Sequence, residues 1–152
     1  MKTVADEAVR RKLVDRLLAL DVDSSKRWGT LTPHEMLCHL GDASSMVLRT
    51  RPRPKPITAR PRPVLKFVAL WTPLRWPHGR PTNPSQDPRV GGTRPTAFEN
   101  DRARAIAGIE GIGSAMDGSL EPVHGLFGAM TTGDWQRWAY KHTDHHLRQF
   151  GL

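Results

Sequence analysis

Nine of the thirteen prolines in this 152-residue chain fall between Pro52 and Pro84. Proline fixes its own φ and offers no N–H, so neither a helix interior nor a central strand runs through such a stretch. Residues 49–66, RTRPRPKPITARPRPVLK, add seven basic side chains and no acidic one. That composition favours extended, polyproline-like backbone. Two blocks of regular structure must therefore be joined by a long irregular crossover, placed at residues 50–95. Within it only residues 64–76 are apolar enough to pack, as a short helix broken at Pro73.

Helical periodicity dominates both flanks. Val9, Leu13, Leu17 and Leu20 predict an amphipathic helix over residues 4–20. Thr32, Pro33 and Glu35 supply an N-cap, a first-turn proline and a capping-box acid for a helix reaching about Leu48. Phe98, Ala105, Ile109, Ile112 and Met116 mark a third helix from residue 95 or 96 to residues 116–118. Gly108, Gly111 and Gly113 weaken it by propensity. A fourth runs from residue 132 or 133 to Phe150, after a loop at residues 118–131. Four helices with one long connection predict an all-α four-helix bundle occupying residues 1–152 as one domain.

Composition bounds the rest. One cysteine excludes a disulfide framework and any multi-cysteine metal site. No run of 18 apolar residues is present, so no membrane insertion is expected. The N-terminal MKTVADEAVRRKLV is charged where a signal peptide is apolar, which points to the cytoplasm.

The inner faces of two helices carry unusual residues. With His142 at zero on a helical wheel, Trp135, Gln149, Trp138 and His146 fall within about 40° of it, and His145 sits on the flank at about 60°. On the second helix Glu35, Met36, Asp42, Ala43 and Met46 lie within about 60° of His39, whereas His34 is about 140° away. Imidazoles at i and i+4 can share one ion, and a third from a facing helix completes a set. Neutral imidazole suits zinc, nickel, copper or iron(II), and three protein ligands leave positions open for chemistry. The competing reading is a polar core, because single buried histidines usually hydrogen-bond and HxxxH recurs by chance. Burying several imidazoles without partners is costly, which favours a shared ion.

A resemblance bears on that choice. The stretch Trp28-Gly29-x-Leu31-Thr32-Pro33-x-x-Met36-Leu37-Cys38-His39-Leu40-Gly41-Asp42 is one part of it. The other is Gly128-x-Met130-Thr131-x-x-Asp134-Trp135-x-x-Trp138-x-Tyr140-Lys141-His142-x-Asp144-His145-His146-Leu147-Arg148-Gln149-Phe150. Together they resemble the DinB/YfiT-like superfamily, and within it a branch whose members carry no assigned activity. The tail YKHTDHHLRQFGL is the most specific element. The resemblance covers both ends of the chain, and the proline-rich middle departs from it. It implies a four-helix, often dimeric bundle with a divalent metal on three histidines, at the positions of His39, His142 and His146. Zinc or nickel would be the metal, with iron or manganese as alternatives. Some members of the superfamily are thiol-dependent transferases or hydrolases, so a low-molecular-weight thiol and a small-molecule substrate enter the expectation.

The neighbours divide by position. His145, His124 and Glu35 are candidates for proton transfer in catalysis. His145 could also be a fourth ligand, but its flank position favours packing or support behind a ligand, and His124 reads equally as an exposed loop residue. Asp42 or Glu35 could orient an imidazole or act as a base. Gln149 and Trp138 are candidate substrate contacts, the tryptophan reading also as core. His78, in a Pro/Gly turn, reads as exposed. Cys38 diverges from His39 by about 100°, which argues against a Cys–His dyad.

The basic run at 49–66 could meet nucleic acid or an anionic membrane by electrostatics alone. It lacks the interleaved aromatics of a single-strand binder, and no DNA-binding motif surrounds it. Three functions therefore stand: a metalloenzyme acting on a small molecule, a non-catalytic metal-binding stress-associated bundle, and a basic nucleic-acid-binding protein.

Overall fold

The structure is a computed structural model that describes residues 1–51 and 62–152. The prolines and arginines at 52–61, the heart of the expected polyproline-like run, lie outside the described residues. Among the described residues the fold is mostly helical, with five α-helices and a two-stranded antiparallel pair.

Helix α1 (Glu7–Leu18) opens at Asp6, whose carboxylate accepts from the Val9 N–H at 3.1 Å. It starts later than the apolar period predicts because Val4 is already a core residue, and its carbonyl accepts from Arg10 at 2.6 Å. Helix α2 (Pro33–Val47) carries the full capping box expected of Thr32 and Glu35. Helix α5 (Thr132–Gln149) carries a second, in which Thr131 and Asp134 satisfy one another's backbone N–H groups. Each box fixes where its helix starts, and so which residues reach the core.

Helix α4 (Phe98–Gly113) is shorter at both ends than the span expected of it, from residue 95 or 96 to residues 116–118. At Gly113 a Cβ would meet the Val4 carbonyl at 2.6 Å, so the helix stops where the N-terminal segment crosses it. The expected loop at 118–131 folds into a hairpin, β1 (Val123–His124) against β2 (Gly128–Ala129), with His124 opposite Gly128. The short helix expected inside the crossover is α3 (Pro63–Trp71), which ends before Pro73.

Helices α2 and α4 make the most extensive contact. Leu13 and Leu17 of α1, Met36, Leu37 and Leu40 of α2, Ile109 and Ile112 of α4 and Leu147 of α5 are all buried in one apolar cluster. Gly108 lets α4 approach α2 closely, since a Cβ there would lie 2.4 Å from Cβ of Ser44. Helix α5 packs on α1, α2, α3 and α4, and the short 3-10 turn Pro84–Gln86 lies against α2. Enclosed by α4, α5 and that turn, α2 buries most of its circumference, polar residues included.

Candidate metal centre

The facing of α2 and α5 brings three imidazoles together. Nε2 of His142 lies 3.1 Å from Nε2 of His39 and 3.2 Å from Nε2 of His146. The three rings offer ligand atoms all within 4.8 Å of one another. Three nitrogens on one tetrahedral zinc, each about 2.0–2.1 Å from it, would stand roughly 3.3 Å apart.

Two of the three rings are oriented from behind. Nδ1 of His39 faces the main-chain carbonyl of Gln86 at 3.0 Å, and a carbonyl only accepts, so Nδ1 carries the proton. Nδ1 of His146 faces Oε1 of Gln149 at 2.8 Å in the same manner. Both rings therefore turn an Nε2 lone pair toward His142. A single proton on His142 Nε2 cannot serve both neighbours well, which leaves lone pairs opposed in a buried place.

Burial pushes the His142 and His146 imidazoles well below their ordinary range, and the neighbouring rings add to it. Burial lowers His39 too, opposed by the Gln86 bond and the charges of Asp42 and Asp87. Three neutral imidazoles with convergent lone pairs fit a divalent cation of borderline softness.

The other candidates scatter. Gln149 spends its side-chain oxygen on His146, and its amide nitrogen lies where a Cβ on Gly29 would reach. Trp138 stacks on His142, ring centroids 4.4 Å apart and planes 25° from parallel. His124, in β1, accepts from the N–H groups of Leu126 and Phe127 through Nδ1, so its proton is on Nε2. His145 lies outside the cluster, edge-on to Trp28 and near Trp76 and His78. Among the described residues its buried Nδ1 has no hydrogen-bond partner, and burial above all lowers its pKa to about 4. His78 is exposed, as expected, and stacks on Trp28 at 3.7 Å.

The two expected carboxylates are committed elsewhere. Glu35 closes the α2 capping box and takes bonds from Arg89 at 2.7 and 2.5 Å. The Arg89 bonds chiefly hold its carboxyl at about 2, far from a general base. Asp42 is fully buried and accepts from the N–H and hydroxyl of Thr93, both at 2.6 Å. Arg51 and Arg104 complete its shell at 2.6 and 2.8 Å, so its oxygens orient no imidazole.

A second grouping, His34, Cys38 and Asp101, also has ligand atoms within 4.8 Å. Here His34 Nε2 already bonds Asp101 at 2.8 Å, and the Arg104 guanidinium stands 3.9 Å from the same carboxylate. Burial and the Asp101 charge push the Cys38 thiol up to about 12. That grouping is a hydrogen-bonded set with its positive charge already supplied.

Sequence reasoning missed Gln86, because a main-chain acceptor leaves no side-chain signature. It also missed the cavity of about 660 Å³ beside the cluster, whose walls include Met46, Val47, Asn83, His124, Trp135 and Trp138. Gln86 borders both the cavity and the His39 ring, and among the described residues no ionisable side chain other than His124 lines the cavity.

Comparison with known proteins gives one family. Residues 4–151 match the family described as a protein of unknown function (DUF1569). No curated protein and no solved structure matches the chain. With nearly its whole length inside that match, the chain belongs to the DUF1569 family.

Proposed function

We propose that His39, His142 and His146 hold one divalent metal ion, zinc or nickel before iron or manganese, and that the protein is a metal-dependent enzyme acting on a small molecule. The observation that carries this reading is the convergence of three Nε2 atoms between α2 and α5, two of the rings with Nδ1 already donated to an oxygen. Oxygen partners behind ligating histidines fix the tautomer and raise ligand basicity. The reading matches the resemblance to DinB/YfiT-like proteins, with α1, α2, α4 and α5 as the four-helix bundle and α3 as an addition. A cytoplasmic homodimer belongs to the same reading.

A metal bound there supplies Lewis-acid activation of a water or of a small thiol, by lowering the pKa of either. The protein's own groups do the rest. Gln86 and Gln149 hold two rings in register, and Trp138 packs flat on the third. The cavity bounded by Trp135, Trp138 and Met46, which adjoins the three histidines through Gln86 and Trp138 and is not itself lined by them, has room for a substrate of ordinary metabolite size. Its lining of largely uncharged groups suits a neutral, largely apolar molecule. Transfer to a thiol and hydrolysis are the two reaction types this arrangement serves.

The test is elemental analysis by plasma mass spectrometry on untagged protein, beside His39→Ala and His142→Ala. About one equivalent of metal in the wild type, absent from both variants, is expected of a three-ligand site. Full occupancy in His142→Ala, or no metal after anaerobic reconstitution, returns the three histidines to a polar core. Metal without turnover on thiol-transfer and hydrolytic substrates leaves the non-catalytic metal-binding reading.

A further inference from the structure

Helix α3 is built inside out. Its Val64, Phe67, Val68 and Trp71 fall within about 100° of one another on a helical wheel. That apolar face points to solvent: Val64 is 76% exposed, Phe67 60%, Trp71 40% and Val68 38%. Leu74, just past the helix, is 61% exposed. The inward side carries Leu70, fully buried, and Lys66, whose ammonium bonds the Ala129 carbonyl and Asp134, both at 2.9 Å. Trp71 Nε1 donates to the other oxygen of Asp134 at 2.9 Å, so the helix is held in this orientation from both sides. An ordinary surface helix turns such a stripe to the core. Contiguous exposed apolar residues of this kind mark an interaction surface.

Charge says what kind. Between Asp42 and Asp87 the chain carries nine Lys+Arg and no acid, while the remainder holds fourteen against fifteen. The whole net positive charge of +8 thus resides in the segment that contains α3. Arg62 precedes the helix, Arg75 and Arg80 follow it, and all three are exposed. A second copy of the chain would bring two such basic segments together against their own repulsion. A nucleic acid would satisfy the charge and leave Val64 and Leu74 in water. An anionic lipid surface satisfies both, with apolar side chains at the acyl boundary and arginines at the headgroups. We propose that α3 and its flanking arginines dock the protein peripherally on an anionic phospholipid membrane. Among the described residues no helix is long and apolar enough to cross one. The proposal does not depend on the metal centre.

The test is co-sedimentation of the full chain with vesicles of phosphatidylcholine alone and of phosphatidylcholine mixed with phosphatidylglycerol. It is run at about 0.1 M and about 1 M salt, where screening lengths differ threefold. Binding to the mixed vesicles at least about tenfold above the neutral ones is expected, weakened at high salt. Val64→Ser with Phe67→Ser should lose about tenfold or more, and Arg62→Glu with Arg75→Glu a similar factor. All four positions are exposed, so unchanged melting curves serve as the folding control. Equal retention on neutral vesicles overturns the proposal. So does binding that survives the Val64/Phe67 change, which marks a plain polycation. A light-scattering mass of two chains that the same change abolishes assigns the face to a second copy instead. Tighter retention on duplex oligonucleotide than on anionic vesicles assigns it to nucleic acid.

Discussion

His39 and Gln86 stand 47 positions apart in sequence, yet the imidazole Nδ1–H of one donates to the main-chain carbonyl of the other at 3.0 Å. The crossover that interrupts the helices therefore finishes the site they build. Gln86 is held in turn by its own amide against the Met46 sulfur at 3.1 Å, on the same helix as His39. His146 receives its orientation locally, from Gln149 one turn on. Of the two supports, only the second can be deleted by a side-chain substitution.

Gln149→Ala should accordingly weaken metal binding by about 10- to 100-fold without abolishing it. Competition against a chromophoric chelator measures the affinity. Gln149→Glu keeps an oxygen facing Nδ1 of His146 and should retain affinity near the wild-type value. An alanine variant that binds as tightly as wild type would show that the amide packs against the ring without orienting it.

Asp42 fastens both ends of the crossover, Arg51 on one side and Thr93 on the other, to α2 and to Arg104 of α4. Burial alone would raise its pKa, and the bonds from Thr93, Arg104 and Arg51 outweigh that and hold it low. Asp42→Ala leaves two guanidiniums facing each other without their counter-ion. A loss of about 3 kcal/mol is expected, read as a fall in the urea midpoint. Protein that remains folded should carry its full metal content, since no Asp42 oxygen touches an imidazole. Loss of metal at unchanged stability would place Asp42 in the site after all.

How much of this was legible beforehand follows from range. His39, His142 and His146 each fell on the inner face of a helical wheel, because the 100° step of a helix fixes which residues share a face. Glu35 and Asp42 sit one turn from His39, and proximity along the helix suggested a role at the ring. Apart from Thr32 of the capping box, their partners are Arg89, Arg51, Thr93 and Arg104, none on α2, and pairings of that range have no periodicity to read. Helix α3 failed differently. Its stripe is visible in the sequence, but the sign of its orientation depends on Lys66 reaching Asp134, which no local rule supplies. Gly108 looked like a weakness in α4 and is a close contact.

Glu35 yields a pH prediction. Arg89 first, then Thr32, hold its carboxyl at about 2 in the fold against burial, while in an unfolded chain it titrates near 4.3. A depressed folded value means stability present above the unfolded value and lost as pH falls toward the folded one. Wild type and Glu35→Gln should therefore differ most above about pH 5 and converge toward pH 2. The difference at neutral pH should be about 1 kcal/mol, kept small by the 46% exposure of the Arg89 side chain. Urea midpoints across that pH range measure it. Taking the difference between the two proteins removes the acid sensitivity contributed by Asp101 and Asp134, whose carboxyls are also held low. A constant gap down to pH 2 would mean that Glu35 acts through shape and not charge.

Gly108→Ala tests the α2–α4 contact, and the two physical arguments give it opposite signs. On an open helix surface the added methyl would stabilise by up to about 1 kcal/mol through propensity. Here the new Cβ would stand 2.4 Å from Cβ and 2.8 Å from Oγ of Ser44, which is buried on α2. Neither a Cβ nor a packed backbone can swing aside, so the helices must separate. The expected outcome is a loss of about 1–3 kcal/mol, seen as a lower urea midpoint at unchanged slope. Ser44→Gly in the same chain opens the space and should recover most of it, less the cost of a second helical glycine. Because His39 lies on α2 five residues before Ser44, the single variant should also bind metal more weakly and the double variant should regain it. A Gly108→Ala protein of wild-type stability and affinity would mean that α2 and α4 slide apart freely, and that the α2–α5 facing alone positions His39.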